Sequence, residues 1–243
     1  MKTLTIIPSR MSATRLPGKP LLKINGLSII SHVFRKAEQA DIGEVFVATE
    51  DQEIVDDVTK NGGNAILTSK NHKTGTDRIY EAFQIINSKD VDIILNLQGD
   101  EPAINIKDII GLNKKMISTQ SKLGTLAAEI KNFKDLENSN IVKVITKKDL
   151  KEDQFSLAET FTRNTKNVNN IYHHIGIYCY SSETLKKFVK LNQSKNEIEN
   201  RLEQLRALDN NIEINVALAS SSPIGVDTQE DYLALKKIME YKA

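Results

Sequence analysis

The strongest constraint on the fold is a regular alternation of strand-like and helix-like segments in the first part of the chain. Residues 4–7 form a short apolar run that ends at Pro8, which is typical of a buried strand. Residues 28–40 then place their apolar side chains on one face of a helix. The same patterns predict strands over residues 45–48, 65–67 and 91–97, and helices over residues 52–60 and 77–86. Alternation with such short connections predicts an α/β fold with a mostly parallel central sheet and helices on both faces.

The second half of the chain has a different pattern. Strand-like runs follow one another with little helix between them, at residues 126–130, 141–145, 155–161 and 171–180. This strand-rich part, about residues 123–191, is typical of an antiparallel lobe or of a dimer surface. The remaining patterns predict helices over residues 182–191 and 197–208, a strand over 212–218, and a closing helix over 228–241 that Thr228 caps. Because no linker or internal repeat interrupts the chain, we expect a single domain over residues 1–243.

The charge balance excludes several classes of partner. The 33 Lys and Arg residues nearly balance the 32 Asp and Glu residues, so the formal net charge is +1. A nucleic-acid or anionic-membrane binder usually has a strong basic surplus, and we therefore expect neither partner. No run approaches 18 apolar residues, and the apolar run at the start is too short for a signal peptide. We therefore expect a cytoplasmic protein.

One loop is nevertheless basic. Residues 8–20 follow the first predicted strand and contain Arg10, Arg15 and Lys19 without any acid. Ligands of open α/β sheets bind beyond the carboxyl ends of the strands, so the loop suits a triphosphate. The alternative is a solvated basic loop. The sequence has neither the G-x-x-x-x-G-K-[ST] nor the G-x-G-x-x-G motif, so a nucleotide site here is of another type.

Two acids are candidate ligands of a hard cation. Asp100 follows the most hydrophobic predicted strand, and Asp227 lies between a late strand and a helix. A carboxylate at such a position is a natural Mg²⁺ ligand, because Mg²⁺ prefers oxygen donors and shares substrate phosphates. The alternatives are a solvent-facing turn acid at Asp100 and a plain helix cap at Asp227.

Residues 75–78, Gly-Thr-Asp-Arg, open a predicted helix. Thr76 or Asp77 is a candidate N-cap, and Arg78 is a candidate surface charge. Alternatively, the backbone N–H groups of the helix start bind an anion. Asp51 is a candidate N-cap of the preceding predicted helix.

A strand-like segment near the end of the strand-rich part contains further candidate residues. His173 and His174 are adjacent, so alternation directs them to opposite faces, and one of them can face a ligand. The alternative is a hydrogen-bonded structural histidine. The single cysteine, Cys179, lies in an apolar stretch, and we interpret it as a buried structural thiol. One cysteine excludes an intramolecular disulfide and a Cys-rich zinc site.

Taken together, the motifs resemble those of the sugar cytidylyltransferases. The resemblance extends over residues 4–241, and the matching segments occur in the order of the family. These segments are PSR at residues 8–10 with TRLPGKPL at 14–21, GTDR at 75–78, QGDEP at 98–102, HIGIY at 174–178, LEQLR at 202–206 and GVDT at 225–228. Each motif alone is weak, but the set is highly specific.

The resemblance implies a Rossmann-like nucleotidyltransferase fold and a cytidylyltransferase activity. The enzyme would transfer CMP from CTP to the anomeric hydroxyl of 3-deoxy-D-manno-octulosonate (KDO) and release pyrophosphate, for lipopolysaccharide synthesis. The implied site consists of Arg10, Arg15 and Lys19 on the triphosphate, Thr76 and Arg78 on the nucleotide, Asp100 and Asp227 on two Mg²⁺ ions, and Gln98, Arg163, His174 and Glu203 in the sugar pocket. Lys19, Asp100 and Asp227 would be catalytic. The resemblance also implies a homodimer formed through the strand-rich part.

The sequence departs from the family pattern at three places. Ala13 stands where the family usually has Ser, residues 160–165 lack the usual Ile-Pro, and Asn200 stands where Glu is common. Two alternatives follow. One is the same reaction on 8-amino-KDO or another nonulosonic acid. The other is a non-catalytic nucleotide-binding module, which would not need both Asp100 and Asp227.

Overall fold

The computed structural model describes residues 1–12, 15–88, 90–132, 134–165 and 169–241. The chain divides into two compact units, one made of residues 1–109 and 223–243 and the other of residues 110–222. The single domain expected over residues 1–243 stays a prediction. No helix within these described ranges is long and apolar enough to cross a membrane.

The first unit contains a parallel sheet with its helices. Its elements are β1 (Lys2–Ser9), a 3-10 turn (Lys19–Leu21), β2 (Lys23–Ile24), β3 (Leu27–Ser28), α1 (Ile29–Gln39), β4 (Gly43–Thr49), α2 (Gln52–Lys60), β5 (Ala65–Leu67), α3 (Gly75–Ile86), β6 (Val91–Asn96) and, from the chain end, α9 (Gln229–Tyr241). Four of the strands pair in parallel in the order β5-β4-β1-β6, and β2 and β3 form a separate hairpin.

Strand order fixes the faces on which the helices lie. The crossovers through α1 and α2 both advance toward β5, whereas α3 returns the chain past β4 and β1 to β6. Because parallel crossovers are right-handed, α3 lies on the opposite face from α1 and α2. The predicted parallel sheet with helices on both faces is confirmed in this unit. Its middle strand β1 is buried on both faces from Thr3 to Ile7, as expected for a covered parallel strand.

The second unit is rich in strands, as predicted. Its elements are most of α4 (Ile106–Thr119), β7 (Leu123–Ala128), α5 (Lys134–Glu137), β8 (Lys143–Thr146), β9 (Phe155–Thr162), β10 (Ile171–Ser181), α6 (Ser182–Phe188), α7 (Lys195–Asn200), α8 (Leu205–Asp209) and β11 (Asn215–Leu218). The strands run in the order β10-β7-β11-β9-β8, and β8 also pairs with β10, which closes the set on itself. Only the β11–β7 pair among them is described as parallel. Cys179 of β10 is fully buried, as expected.

Several local predictions are wrong. The helix α4 is not predicted from the sequence. The single helix predicted over residues 197–208 is instead two helices, α7 and α8, because Arg201 between them is left-handed, with a φ of 53°. Neither Thr76 nor Asp77 caps α3, because the hydroxyl of Thr74 accepts the hydrogen bond from the Asp77 N–H. The loop expected at residues 164–170 lies partly outside the described residues.

Candidate active site

The basic loop leaves the carboxyl end of β1 and is held at both of its ends. The Met11 N–H donates to Asp51 Oδ2 at 2.7 Å, and the Gly18 N–H donates to the Met11 carbonyl at 3.2 Å. Gly18 has a φ of 71°, a left-handed conformation that favours glycine, and it leads directly into the 3-10 turn at Lys19. Asp51 occupies the N-cap position of α2, as predicted, but its side chain makes no capping hydrogen bond and anchors the basic loop instead.

The two candidate acids lie on loops that are hydrogen-bonded to each other. Asp100 follows β6 and Asp227 precedes α9, and the Val226 N–H donates to the Asp100 carbonyl at 2.9 Å. Thr228 caps α9 by accepting from the Asp231 N–H, as predicted. The carboxylate of Asp231 in turn accepts from the N–H groups of Asp227 and Thr228. Asp227 is therefore not the helix cap, and its own carboxylate is available for other contacts.

A hydrophobic cluster aligns the basic loop with the Asp227 segment. Leu16 of the loop packs in one buried cluster with Ile24, Ile29, Val226 and Leu235. Leu16 stands next to Arg15 in sequence, and Val226 stands next to Asp227. The apolar contacts therefore hold one cation and one acid of the site at fixed positions in the first unit.

Lys19 bridges the two acids. Its Nζ lies 2.8 Å from Asp100 Oδ2 and 3.3 Å from Asp227 Oδ1. Arg15 adds a second cation, with Nη2 3.0 Å from Asp227 Oδ2. The Lys19 side chain is only 12% exposed, whereas that of Asp227 is 47% exposed, so the bridge is buried at the lysine and open to solvent at Asp227. The structure thus brings together four of the residues that the sequence selected.

Glu101 is a residue of this site to which the sequence analysis assigned no role. Burial raises the pKa of its carboxyl to about 8, and the negative charges of Asp100 and Asp227 add to this effect. Its Oε2 is buried and has no hydrogen-bond partner among the described residues. The sequence signals that could have pointed to it are its position after Asp100 and its place in the QGDEP segment.

The arrangement fits a Mg²⁺ ion that is shared with a phosphate ligand. Within the described ranges, no group of three or more His, Cys, Asp or Glu side chains is placed to hold a metal ion. However, the Lys19 ammonium group contacts both Asp100 and Asp227, so one cationic centre reaches both carboxylates. Mg²⁺ is typically bound through one or two carboxylates together with substrate phosphates and waters.

The sequence allowed Arg78 to be a surface charge, but the structure shows that it is not. Its side chain is buried and forms an ion pair with Glu50. Its Nη1 also donates to Thr68 Oγ1 at 2.6 Å and to the Ser69 carbonyl at 3.3 Å. Thr76, two residues earlier at the start of α3, is buried as well. Both residues lie inside the first unit rather than on its surface.

The two remaining candidates of the first unit are more accessible. Gln98 follows β6, two residues before Asp100, and its Nε2 donates to Asn96 Oδ1 at 3.1 Å. Arg10 is exposed, and it forms no ion pair with an acid in the part of the chain that the structure describes.

His174 is a buried, neutral residue of the second unit. It lies on β10, its Nε2 is 3.1 Å from Thr125 Oγ1, and the ring of Phe161 meets its imidazole edge-on at 5.0 Å. Burial, with a smaller contribution from His173, lowers the pKa of His174 to about 3. The ring of Tyr178 lies 5.5 Å from the imidazole.

Glu203 lies between α7 and α8, next to a buried ion pair. The Arg206 guanidinium group binds both carboxylate oxygens of Glu197, at 2.8 and 2.5 Å, and lies 4.7 Å above the Phe188 ring. The same guanidinium group is 3.7 Å from Glu203 Oε1. Burial raises the pKa of Tyr178, and the charge of Glu203 contributes to this increase. Glu203 and His174 therefore share Tyr178 as a neighbour.

Arg163 follows β9 and is held by hydrogen bonds of both its backbone and its side chain. Its carbonyl accepts from the buried Lys143 Nζ at 2.8 Å, and its own Nη1 donates to the Ser139 carbonyl at 3.1 Å. Asn200 is exposed and donates to the Asn196 carbonyl at 2.9 Å. In this structure the Asn200 side chain thus stabilises its own helix.

The fold and the site define a class of enzyme. The first unit joins the carboxyl ends of a parallel sheet to a basic loop and two carboxylates, without a glycine-rich phosphate loop. This combination, together with the similarity of the fold to a solved synthetase complexed with CTP, is that of a nucleotidyltransferase. Residues 4–214 match the sequence model of a family described as cytidylyltransferase, and the chain belongs to this family.

Comparison with known proteins gives closer similarities. The chain is 41% identical over 239 residues to a 3-deoxy-manno-octulosonate cytidylyltransferase from Nitrobacter hamburgensis, covering 98% of this chain and 93% of the relative. It is 42% identical to a protein of the same name from Rhodopseudomonas palustris strain BisB18, covering 99% and 98% of the two chains. A solved structure of CMP:2-keto-3-deoxy-manno-octonic acid synthetase complexed with CTP has a TM-score of 0.90 and 33% identity, with full coverage of both chains.

Proposed function

We propose that this protein transfers CMP from CTP to the anomeric hydroxyl of KDO and releases pyrophosphate. The names of the relatives and the CTP complex of the similar structure support this function. The observation that argues most strongly for a transferase rather than a binding module is the Lys19 bridge between Asp100 and Asp227. A module that only senses a nucleotide does not need two acids at the phosphate site.

The basic loop would bind the triphosphate. Arg15 and Lys19 already lie at the carboxyl end of the sheet, and Arg10 is exposed at the start of the same loop. In the reaction the anomeric oxygen forms a bond to the α-phosphorus while the bond to the bridging oxygen of pyrophosphate breaks. Since the approaching oxygen and the phosphates are all negatively charged, cations beside them lower the barrier.

Asp100 and Asp227 would hold Mg²⁺, with two ions as the expected number. When bound, Mg²⁺ supplies neutralisation of the charge that develops on the attacking and leaving oxygens. The contribution of the chain is to hold the two carboxylates at fixed positions. It does so through the backbone hydrogen bond from the Val226 N–H to the Asp100 carbonyl and through the N-cap of α9. Thr76 and Arg78 would support the nucleotide from the start of α3.

Gln98, Arg163, His174 and Glu203 would bind the sugar. The pKa of His174, lowered to about 3 by burial, makes its imidazole neutral at pH 7, so it suits a hydroxyl rather than a carboxylate. Arg163 is the cation in this set and would bind the carboxylate of the acid sugar. Glu203 would accept from sugar hydroxyls.

The test of this function is pyrophosphate release from CTP with Mg²⁺, measured with and without KDO. We expect release only when both substrates are present. Release with 8-amino-KDO or another nonulosonic acid but not with KDO would place the error in the sugar pocket alone. No release with any of these acid sugars would contradict the proposed transferase and favour a non-catalytic nucleotide-binding module.

We further propose a homodimer in the cytoplasm that serves lipopolysaccharide synthesis. A cytoplasmic location is supported by the use of CTP, and the dimer by the family resemblance. Light scattering of the purified protein should give about twice the mass of the 27.3 kDa chain. A particle of 27.3 kDa at all concentrations used would contradict the dimer.

A further inference from the structure

Two basic side chains contact the carboxylate oxygens to which the proposed function assigns the metal. Lys19 Nζ lies 2.8 Å from Asp100 and 3.3 Å from Asp227, and Arg15 lies 3.0 Å from the other oxygen of Asp227. Every one of these distances is that of a direct, charge-assisted hydrogen bond or a close ion pair. A divalent cation between Asp100 and Asp227 would therefore have to displace Lys19 from both acids.

Burial makes this competition strong. The Lys19 side chain is 12% exposed and that of Asp100 is 33% exposed, so water screens their interaction only in part. The Arg15–Asp227 pair is more open, with side chains 60% and 47% exposed, and contributes less. Lys19 is thus the principal competitor and Arg15 the weaker one.

The same two side chains have a second class of ligand available to them. Both belong to the loop that would bind the triphosphate, and a polyphosphate offers them more negative charge than two carboxylates do. A side chain that moves onto a phosphate oxygen would release its carboxylate. Metal would then replace the Lys19 ammonium group beside Asp100 and Asp227 only after the nucleotide has bound.

We propose, on the basis of the function proposed above, that Lys19, assisted by Arg15, is a placeholder cation for Asp100 and Asp227. It lowers the affinity of the two acids for divalent metal until a nucleoside triphosphate draws it away. Metal binding and nucleotide binding are consequently coupled, and by linkage each raises the affinity of the other. Protection of the acids by their own lysine also reduces metal binding in the absence of substrate.

The test is a titration with Mn²⁺ alone, without nucleotide or sugar, with the free ion measured by electron paramagnetic resonance. Lys19→Met keeps the length of the side chain but removes its charge, and it should bind Mn²⁺ about tenfold more tightly than the wild type. Lys19→Arg retains the cation and should bind as weakly as the wild type. Lys23→Met makes the same change of net charge at an exposed residue of β2 and should change the affinity less than about twofold.

If folded Lys19→Met binds Mn²⁺ as weakly as the wild type or more weakly, the proposed role of Lys19 is overturned. Circular dichroism establishes whether the variant is folded. If it is not, Arg15→Met decides, because its side chain is exposed and its removal should not affect folding. That variant should bind Mn²⁺ about two- to threefold more tightly than the wild type, and an unchanged affinity would overturn the proposal.

A second titration separates this inference from the proposed function. At saturating CTP and without sugar, wild-type protein should gain more Mn²⁺ affinity than Lys19→Met, because the variant has no ammonium group to displace. If CTP has no effect but another nucleoside triphosphate produces this difference, the coupling is supported and the assigned nucleotide is wrong. If no nucleoside triphosphate raises the Mn²⁺ affinity of the wild type, the coupling is overturned.

Discussion

Asp100 and Asp227 share a single cation, Lys19, and they lie beside the buried carboxyl group of Glu101. The charges of Asp100 and Asp227 repel each other and, with burial, raise the pKa of the Glu101 carboxyl to about 8, and such an arrangement is costly for stability. It is useful where the site must bind cations, because the repulsion falls when a cation is bound. The concentration of acids at one sheet edge is therefore better explained by chemistry than by folding.

Asn substitutions test this view of the two acids. Asp100→Asn and Asp227→Asn should each lower kcat at least about a hundredfold at saturating Mg²⁺, because the amide keeps the shape but loses the charge. The melting temperature should change little, because the repulsion that each change removes is offset by the loss of an ion pair with Lys19. Asp92→Asn is the matched control, because Asp92 is exposed at the opposite end of β6 and binds the Lys2 N–H. A near-native kcat for either site variant would contradict the metal assignment.

Because His174 is buried, we expect the protein to lose stability in acid. Its pKa is lowered to about 3 in the folded chain, from an ordinary value of 6.5, because burial disfavours the imidazolium. Between these pH values the unfolded chain binds a proton at His174 that the folded chain does not bind. The free energy of unfolding is therefore unaffected by His174 above pH 6.5 and decreases as the pH falls toward 3. Each pH unit well inside this window should cost about 1.4 kcal/mol.

His174→Gln should remove this contribution. Urea unfolding at pH 7 and at pH 5 should show a smaller difference in the free energy of unfolding for the variant than for the wild type. His173→Gln is the neighbouring control, and its effect should be smaller, because burial lowers the pKa of His173 less. An unchanged pH difference in His174→Gln would show that His174 is not buried as a neutral group.

Some of the site residues were predictable and others were not. Asp100 and Lys19 each follow a predicted strand, so their position at the ligand-binding edge follows from the alternation of elements. The partner of Arg78 could not be predicted, because Glu50 follows a different strand and only the folded sheet brings the two together. Glu101 was missed for the same reason. The raised pKa of its carboxyl depends in part on the charge of Asp227, which is distant in sequence.

At the scale of elements, α7 and α8 are joined by an ion pair rather than by continuous helix. Glu197 lies in a capping box with Ser194, and its carboxylate binds Arg206 of α8. Both side chains of the Arg206–Glu197 pair are 4% exposed. Although burial opposes it, the hydrogen bond from Arg206 lowers the pKa of Glu197. This pair fixes the connecting segment, in which Glu203 lies.

Arg206→Met should lower the free energy of unfolding by about 3–5 kcal/mol, because it leaves a buried carboxylate without its partner. Lys195→Met is the matched control on α7, the helix that carries Glu197. The Lys195–Glu199 pair spans 3.8 Å with side chains 87% and 57% exposed, so its loss should cost less than about 0.5 kcal/mol. Urea unfolding measures both changes. A similar small loss in the two variants would contradict a structural role for the buried pair.

The two failed element predictions have different causes. The pattern over residues 197–208 is helical in its apolar positions, but Arg201 in the left-handed conformation ends α7 and lets Arg206 turn back to Glu197. In α4 the residues Ile109, Leu112 and Met116 are fully buried at helical spacing, so a signal was present and was overlooked. The strands β5 and β9, with clear apolar runs, were placed within one residue.

At the scale of the whole molecule, each of the two units carries its own group of proposed functional residues. All proposed phosphate and metal residues belong to the first unit, and Arg163, His174 and Glu203 belong to the second. The first unit is discontinuous in sequence, because residues 223–243 return to it after the second unit is complete. Asp227 therefore enters the site only when the end of the chain has folded onto the first unit.

The last prediction concerns this returning segment. Leu235 of α9 is fully buried in the cluster that contains Leu16 and Val226, whereas Leu233 on the same helix is 55% exposed. Leu235→Ala should lower the free energy of unfolding by about 2–5 kcal/mol, and Leu233→Ala should change it by less than about 0.5 kcal/mol. Because the cluster aligns Asp227 with the basic loop, the temperature of half-inactivation of pyrophosphate release should fall together with the melting temperature in Leu235→Ala. Activity that persists above the melting temperature of this variant would show that the site does not depend on the docking of α9.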